Sequence, residues 1–508
     1  MYKKLLFIVL FIFPLYTFSQ VTFTESKPYK TYTGNFLLYF QSGNEMLGFK
    51  RDGDVFILQK YDLKTLVQTG INTYKDMPDE YEIESVRAFN KRYYFFYSIV
   101  DKGKKTATLY CREINFNTGA FISPGNVFIT VQSELRGSFY IYNSLNDEKL
   151  MVRYTLLKTH MNDDVNHQTL GFHVYDKNLK PVWKTESELP YAEKYIQKLS
   201  QAVDSNGDVY YLIRLYDKET SDLYGKDSEK AEHKLEMLKI GKETKKYKSS
   251  KVELPSGALL DINLVETATN EMVCVGLYNQ KSDRIPSFFV SKINKDGSMG
   301  RERSYDIPVS ITSLYEDKRD KTIRPDKEIP NLAELNHLGC TVIKKDTITG
   351  DLFIVAECIN EEYVDEYLLS HYDDLIALRI DVQGQMKWMQ RLPKRPFTHG
   401  SAYSFTLISK AKNDYIVFLD HEENKNLKIN EITAKRLKSK ETVLTAYKIN
   451  KASGHTEKII LLDSKLVNGK QIYRITSERV LEASDTELIF EAYKKDNEDV
   501  LIKIKGVE

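Results

Sequence analysis

The chain repeats one pattern of apolar and polar residues. In the stretch from Leu375 to Pro393, apolar and polar residues alternate, the alternation breaks at Asp381 with Gly384 three positions later, and it then resumes and stops at proline. Period-two alternation is typical of half-buried strands, and Asp and Gly favour a tight turn. Proline ends strand pairing because it has no N–H group. The stretch therefore predicts a β-hairpin.

The residue that opens this turn recurs as an anchor position. Each anchor follows an apolar residue, and in most copies a basic residue stands two positions before it. The anchors are Asp62, Asn115, Asp176, Gly241, Asn294, Asp381, Asn450 and, in a truncated last copy, Lys505. A spacing of about 53 to 87 residues between anchors indicates an internal structural repeat.

Two more strands precede each predicted hairpin. Apolar segments with their own turn signals, such as NEMLGF from Asn44 and NEMVCVGLY from Asn270, predict one strand, and another apolar segment precedes each of them. Four strands per repeat are typical of a β-propeller blade, which buries its faces only against neighbouring blades. The predicted fold is all-β, a β-propeller of eight four-stranded blades, with seven blades as the alternative.

The strand count also predicts how the ring closes. The first three strands, A to C, occur eight times, but the fourth strand, D, occurs seven times before the sequence stops at Glu508. The segment VTFTES from Val21 is the candidate for the missing strand. An N-terminal strand completing the last blade would join both chain ends in one sheet and leave no open edge there.

The first twenty residues predict export. Lys3 and Lys4 precede an apolar run from Leu5 to Tyr16, which suits a secretory signal peptide over residues 1–20 followed by a single propeller domain over residues 21–508. The expected location is periplasmic or extracellular. No later segment is long and apolar enough to predict a membrane span.

Charge and cysteine content narrow the classes of partner. Without Lys3 and Lys4, the 73 basic residues fall to 71 against 72 acidic ones, so no nucleic-acid partner is expected. Cys340 and Cys358 flank a turn on neighbouring strands, which leaves a cross-strand disulfide open. The other two cysteines are expected to be buried free thiols in different blades: Cys111 and Cys274.

Loop length points to one face of the disc. In a four-stranded blade the B–C and D–A connections emerge on one face, here called the long-loop face, and the A–B and C–D turns on the other, the short-turn face. The long connections are Leu157–Thr169, Tyr216–His233, Ile359–Asp374 and His421–Glu441 between B and C, and Val309–His337 between D and A. Long loops on a rigid scaffold commonly carry binding sites, although insertions are also better tolerated there.

Several polar clusters lie in these loops, and for each of them a non-functional explanation is also open. The metal-type ligands are His160, Asp163, Asp164 and His167 in one loop and His371, Asp373 and Asp374 in another. Their spacing does not demonstrate a metal geometry, so solvated loops are the alternative. Four carboxylates suit acid–base hydrolysis of a glycosidic bond, but the same pattern is typical of a charged helical turn: Glu361, Glu362, Asp365 and Glu366. A basic loop suits an acidic partner or plain solvation: Lys435, Arg436, Lys438 and Lys440.

The segment IDVQGQMKW from Ile380 resembles the repeat of exported quinoprotein-like propellers, in which a strand ending in Asp leads through a Gly turn to a Trp-bearing strand. The resemblance implies a propeller architecture. Only Trp183 and Trp388 keep the tryptophan, and nothing matches a quinone-cofactor site, so no dehydrogenase activity and no cofactor are implied.

Two functions remain open from the sequence. No G-x-S-x-G, H-E-x-x-H, C-x-x-C or phosphate-binding glycine motif occurs, so no catalytic, cofactor or metal residue is predicted. The favoured hypothesis is a non-catalytic propeller that binds a protein or glycan through the long-loop face. The alternative is a polysaccharide hydrolase or lyase with its site on the same face.

Overall fold

The architecture is all-β. Within the part of the chain that the computed structural model describes, helix is limited to Val309–Thr312 and to 3-10 turns at Glu193–Tyr195 and Glu422–Asn424. The described residues are 22–32, 37–122, 124–132, 138–156, 167–217, 219, 233–254, 257–280, 286–312, 338–364, 367–394, 397–399, 405–429, 442–463, 472–484, 486–494 and 497–506.

The strands form eight antiparallel sheets, and each sheet is one blade with strands A to D in chain order. Blade 1 comprises Leu37–Ser42, Glu45–Asp52, Val55–Asp62 and Val67–Tyr74. Blade 2 comprises Tyr81–Phe89, Arg92–Asp101, Thr106–Asn115 and a divided fourth strand, Ala120–Phe121 and Asn126–Val131. Blade 3 comprises Tyr140–Asn143, Lys149–Leu156, His167–Asp176 and Pro181–Ala192. Blade 4 comprises Ile196–Val203, Val209–Tyr216, His233–Ile240 and Tyr247–Val252.

The second half of the ring repeats the arrangement. Blade 5 comprises Gly257–Ala268, Glu271–Gln280, Pro286–Lys292 and Arg303–Asp306. Blade 6 comprises Leu338–Lys345, Leu352–Val364, Tyr367–Ile380 and Met386–Leu392, with Phe397–His399 added beside strand C. Blade 7 comprises Phe405–Ser409, Asn413–His421, Thr442–Asn450 and Thr456–Asp463. Blade 8 comprises Ile472–Ser484, Glu487–Lys494, Glu498–Lys505 and, from the N-terminus, Thr22–Glu25. Eight blades are confirmed, and the alternative of seven is wrong.

The N-terminal strand closes the ring as the strand count predicts. Thr22 pairs with Lys505 and Glu25 with Ile502 in antiparallel register, and a second short strand at Tyr29–Lys30 pairs with the same C strand. The backbone N–H of Ser26 also donates to the Leu501 carbonyl at 2.9 Å. The last blade therefore takes its strands from both ends of the chain.

Asx-type turns explain why the anchor positions end strand C. The Asp176 carboxylate accepts the backbone N–H groups of Asn178 at 2.8 Å and Lys180 at 2.9 Å. A side chain that accepts turn N–H groups in this way stabilises the chain reversal, together with the backbone bond from the Leu179 N–H to the Asp176 carbonyl at 2.9 Å. In blade 6, Gly384 completes the equivalent turn with a φ of +76°, a region that favours glycine.

The hydrophobic core lies between blades. One cluster joins Phe96 and Leu109 of blade 2 to Val152 of blade 3, and comparable clusters fill the other seams. Both tryptophans are buried at such seams, as packing between repeats predicts. Each indole N–H donates to a carbonyl of the next blade, Gly207 for Trp183 at 2.9 Å and Lys451 for Trp388 at 3.0 Å.

The cysteines occupy the strands that the repeat pattern predicts. Cys111 and Cys274 are buried free thiols, and burial raises the pKa of each thiol. In blade 6, Cys340 lies opposite Ala356 and Cys358 lies opposite Leu338. Because the two cysteines are offset by two residues, they are not the directly opposed pair that a cross-strand disulfide would require.

Candidate binding face

On the short-turn face, the basic residue two positions before the anchor connects neighbouring blades. It bonds a carboxylate of its own blade and a carbonyl in a turn of the next blade, a pair of contacts here called the inter-blade lock. The Lys239 ammonium of blade 4 lies 2.8 Å from the Asp208 carboxylate of its own blade and donates to the Lys295 carbonyl in the C–D turn of blade 5 at 2.6 Å. Lys60 makes the same two contacts, with Glu45 at 2.9 Å and with the Asn117 carbonyl of blade 2 at 2.6 Å. These two cations therefore tie blade 4 to blade 5 and blade 1 to blade 2.

The acidic partner of this lock is a repeated position that the sequence reasoning missed. It is the residue that starts strand B, immediately after the A–B turn, as in the Asn-Glu and Gly-Asp dipeptides of the repeats. Its sequence signal is an acidic residue at this point in most copies: Glu45, Asp208, Glu271, Asp351, Asp414 and Glu487. In blade 6 the repeated basic residue is Arg379. Its guanidinium lies 3.3 Å from the Asp346 carboxylate of its own blade and also bonds the Asp414 carboxylate of blade 7.

The A–B turns are also joined around the ring. The Glu266 carboxylate of blade 5 accepts backbone N–H groups from Leu145 of blade 3 at 2.9 Å, from Ser205 of blade 4 at 2.8 Å and from Asn270 at 2.8 Å. In the first half of the ring, Asn90 of blade 2 donates to the Asp147 carboxylate of blade 3 at 2.6 Å. These carboxylates thus bond the turns of neighbouring blades to one another.

The long-loop face carries an extended flap on blade 6, where the predicted loop Ile359–Asp374 is wrong. Strand B runs to Val364 and strand C starts at Tyr367, so the hairpin extends beyond the blade, with Phe397–His399 pairing along it. The prediction of a helical turn at Glu361 and Glu362 is also wrong, because both residues lie in strand B. Consecutive charges were read as a solvated helix, but cross-strand pairing keeps this segment extended.

Buried ion pairs anchor the base of this flap. Arg391 donates to the Asp374 carboxylate at 2.7 Å, and Lys394 bonds the Glu357 carboxylate. All four side chains are nearly inaccessible to solvent. Burial lowers the pKa of Lys394, and the nearby carboxylates, Glu357 foremost, oppose that shift. Asp374, a candidate metal ligand from the sequence, therefore serves a structural ion pair.

The structure brings few of the other sequence candidates together. His167 begins strand C of blade 3, where its Nδ1 lies 2.8 Å from the Leu189 carbonyl. No group of three or more His, Cys, Asp or Glu side chains within the described ranges is placed to hold a metal ion. Outside the described residues lie His160, Asp163, Asp164, Asp365, Glu366, Lys435, Arg436, Lys438 and Lys440.

A second site on the long-loop side of blades 3 and 4 was missed by the sequence reasoning. The guanidinium carbon of Arg153 lies 4.1 Å from the centre of the Tyr140 ring, and the Lys198 ammonium lies 5.1 Å from it. Arg153 is 4% exposed, whereas Tyr140 is 39% exposed. A signal existed, because Arg153 interrupts the otherwise apolar strand EKLMVRYT.

Three cations of blades 3 and 4 have no carboxylate partner among the described residues. Arg153 and Lys198 form no ion pair with any described carboxylate, and the same holds for Arg214, which bonds Tyr216 at 3.0 Å. In blades 6 and 7, by contrast, Arg391 and Lys458 lie within hydrogen-bonding distance of carboxylates, at 2.7 Å from Asp374 and 2.8 Å from Asp420. A cation without a carboxylate partner attracts anions.

A shallow pocket of about 260 Å³ opens on the short-turn face of blade 7, lined by Asn413, Lys448, Asn450, His455 and Glu457. Lys448 holds the repeated basic position. The next blade draws its C and D strands from opposite chain ends, so no C–D hairpin turn lies where the other blades offer an acceptor carbonyl.

No helix within the described ranges is long and apolar enough to cross a membrane.

No family model and no curated protein matches the chain. Solved structures show similar folds. The uncharacterised protein lmo1340 from Listeria monocytogenes EGD-e is 9% identical over 82% of this chain and 95% of that one, with a TM-score of 0.37. The β-propeller domain of the Trilobed protease from Pyrococcus furiosus is 9% identical over 86% and 97%, with a TM-score of 0.34.

Longer enzymes also contain a similar fold. The acylaminoacyl peptidase of Pyrococcus horikoshii is 9% identical, with a TM-score of 0.36, over 91% of this chain. This chain spans 58% of that peptidase. At these identities and TM-scores the likeness says nothing about the function of this chain.

Proposed function

We propose that this protein is an exported, non-catalytic β-propeller that binds a protein or glycan partner through its long-loop face. The observation that carries the proposal is the unequal use of polar groups on the two faces. Locks such as Lys239 with Asp208 use the short-turn face to join blades, whereas Arg153 and Lys198 on the long-loop side have no described carboxylate partner. Polar groups without an internal partner are the ones available to a ligand.

The alternative of a polysaccharide hydrolase or lyase gains less support. Acid–base cleavage of a glycosidic bond uses two carboxyl groups at a defined separation on either side of that bond. The buried carboxylates at the flap, Asp374 and Glu357, each bond a cation instead. We therefore favour binding over catalysis.

Photo-crosslinking tests the face directly. A photo-crosslinking residue is placed at Val309 on the long-loop face, where 66% of the side chain is exposed, and as a matched control at Ile348 on the short-turn face, which is 73% exposed. We expect products with cell-envelope material at Val309 and none at Ile348. Equal products at both positions would contradict the proposed face.

Export is tested separately by expressing the full chain in a Gram-negative host and fractionating the cells. We expect the mature protein outside the cytoplasm, with an N-terminus near Val21. Full-length protein retained in the cytoplasm with Met1 intact would contradict the export part of the proposal and leave the binding face unaffected.

A further inference from the structure

The Tyr140 ring lies at the centre of a site between two inner strands. Tyr140 is the first residue of strand A in blade 3, at the end of the strand on the long-loop face, and it pairs with Arg153 on strand B. Lys198 reaches the same ring from strand A of blade 4. The site therefore spans the seam between blades 3 and 4, with an exposed ring and lysine above a buried arginine.

The positive charge of this site has no carboxylate partner within the described part of the chain. Arg153 donates one hydrogen bond, to the Thr155 hydroxyl at 3.2 Å, and its Nε has no hydrogen-bond partner among the described residues. Burial lowers the pKa of Lys198, and the positive charge of Arg153 lowers it further. Two cations held together without a carboxylate repel each other, and an anion bound between them would relieve that repulsion.

A neighbouring lysine shows the contrast. Lys194 lies four residues before Lys198, and its ammonium is 2.7 Å from the Glu219 carboxylate. Lys194 is thus neutralised locally, although it belongs to the same long-loop end of blade 4. The unpaired state is therefore a property of the Tyr140 site and not of every lysine in this part of the face.

An unsatisfied, buried amide lies in the same seam. Gln201 is 8% exposed, and neither polar atom of its side chain has a hydrogen-bond partner within the described chain. It lies two residues before Val203, on the side of strand A that packs against blade 3. An amide that both donates and accepts suits a hydroxyl group, which does the same.

We propose that Arg153, Lys198, Tyr140 and Gln201 form a binding site for the uronate groups of an acidic glycan. The two cations would bind the carboxylate, the exposed part of the Tyr140 ring would contact the sugar, and the amide would bond a hydroxyl. A carboxylate carried beside hydroxyl groups matches this combination of cations, ring and amide better than an acidic peptide side chain. The inference rests on the proposed function, because it specifies the partner of the long-loop face.

The test is calorimetric titration of the full chain with tri-galacturonate, in parallel with an uncharged trisaccharide and tri-glutamate. We expect binding of tri-galacturonate that weakens as salt is raised, because exposed charges are screened. Lys198→Gln should weaken binding by about fivefold or more, and the matched variant Lys194→Gln should leave it within about twofold, since Lys194 is already paired.

A second variant separates a loss of binding from a loss of folding. Gln201→Leu removes an unsatisfied amide, so the melting temperature should hold or rise while affinity for tri-galacturonate falls. Equal affinity for the uncharged trisaccharide, or equal effects of the Lys198 and Lys194 variants, would overturn the site. Tighter binding of tri-glutamate would overturn the glycan in favour of an acidic peptide. If tri-galacturonate does not bind while crosslinking at Val309 persists, this inference fails and the proposed function stands.

Discussion

Lys50 of blade 1 and Glu491 of blade 8 form an ion pair across the seam where the ring closes, and both side chains are about 1% exposed. The Tyr29 hydroxyl of the N-terminal segment donates to the same carboxylate at 2.6 Å, and the Tyr39 hydroxyl donates to its other oxygen. The Lys50 ammonium also lies 5.0 Å from the Tyr29 ring. One buried carboxylate therefore connects the first blade, the last blade and the N-terminal segment.

Lys50→Met should destabilise the protein by about 3–5 kcal/mol, because it leaves the Glu491 charge buried without its cation. Thermal unfolding measures the loss. The double variant Lys50→Met with Glu491→Leu should recover part of it, since only the Asp499 carboxylate, 3.8 Å from the Lys50 ammonium in the parent protein, is then left buried without that cation. As a control, Lys30→Gln removes an exposed pair with Asp52 at 3.5 Å and should change stability by less than about 1 kcal/mol. Equal effects of Lys50→Met and Lys30→Gln would contradict the role of the seam.

Phe23→Asp should weaken ring closure. Phe23 lies opposite Ile504 and packs against the core of the last blades, whereas the neighbouring Thr24 is exposed. Placing a carboxylate in that core should cost about 2–4 kcal/mol in the free energy of unfolding, and the matched variant Thr24→Asp should cost less than about 1 kcal/mol. Chemical denaturation compares the two.

A peptide with the sequence of residues 21–30 should partly restore the stability of the Phe23→Asp variant, because the vacated edge of strand C can accept a strand in trans. No rescue by the peptide, together with a large effect of Thr24→Asp, would show that closure does not depend on this strand.

The two lysines at equivalent repeat positions in blades 4 and 5 should differ in their contribution to the free energy of unfolding. Lys239 and its partner Asp208 are 11% and 13% exposed at 2.8 Å, whereas Lys292 and Glu271 are 68% and 37% exposed at 3.5 Å. Lys239→Met should cost about 1.5–3 kcal/mol, and Lys292→Met should cost less than about 1 kcal/mol. Melting temperatures of the two variants test this order, and the reverse order would refute the inter-blade lock.

Acid should destabilise the seam of blade 3 through His173. Burial, reinforced by the positive charge of Lys184, lowers the pKa of His173 from 6.5 to about 4. The unfolded chain therefore binds a proton at a higher pH than the folded one, so this contribution to stability is complete above pH 6.5 and is lost as pH falls toward 4. His173→Gln should flatten the pH dependence of unfolding in that window. An unchanged slope between the two proteins would contradict the assignment.

The sequence predicted the eight blades and the anchor turns because both depend on local geometry, and it predicted the closing strand because the strand count left one D strand missing. Side chains alternate across a strand whatever it packs against, and an Asx turn needs only the residues that follow it, as at Asp176. The repeated basic position was also visible, although its acidic partner at the start of strand B was not recognised.

Tertiary structure alone decided which residues meet across the seams. Lys50 and Glu491 are 441 positions apart, and Lys198 reaches Tyr140 from a different blade. Such contacts depend on how neighbouring blades rotate and pack against each other, which no local window of sequence contains. The same reason explains the flap on blade 6, where pairing between two strands overrides a run of charges that resembles a solvated turn.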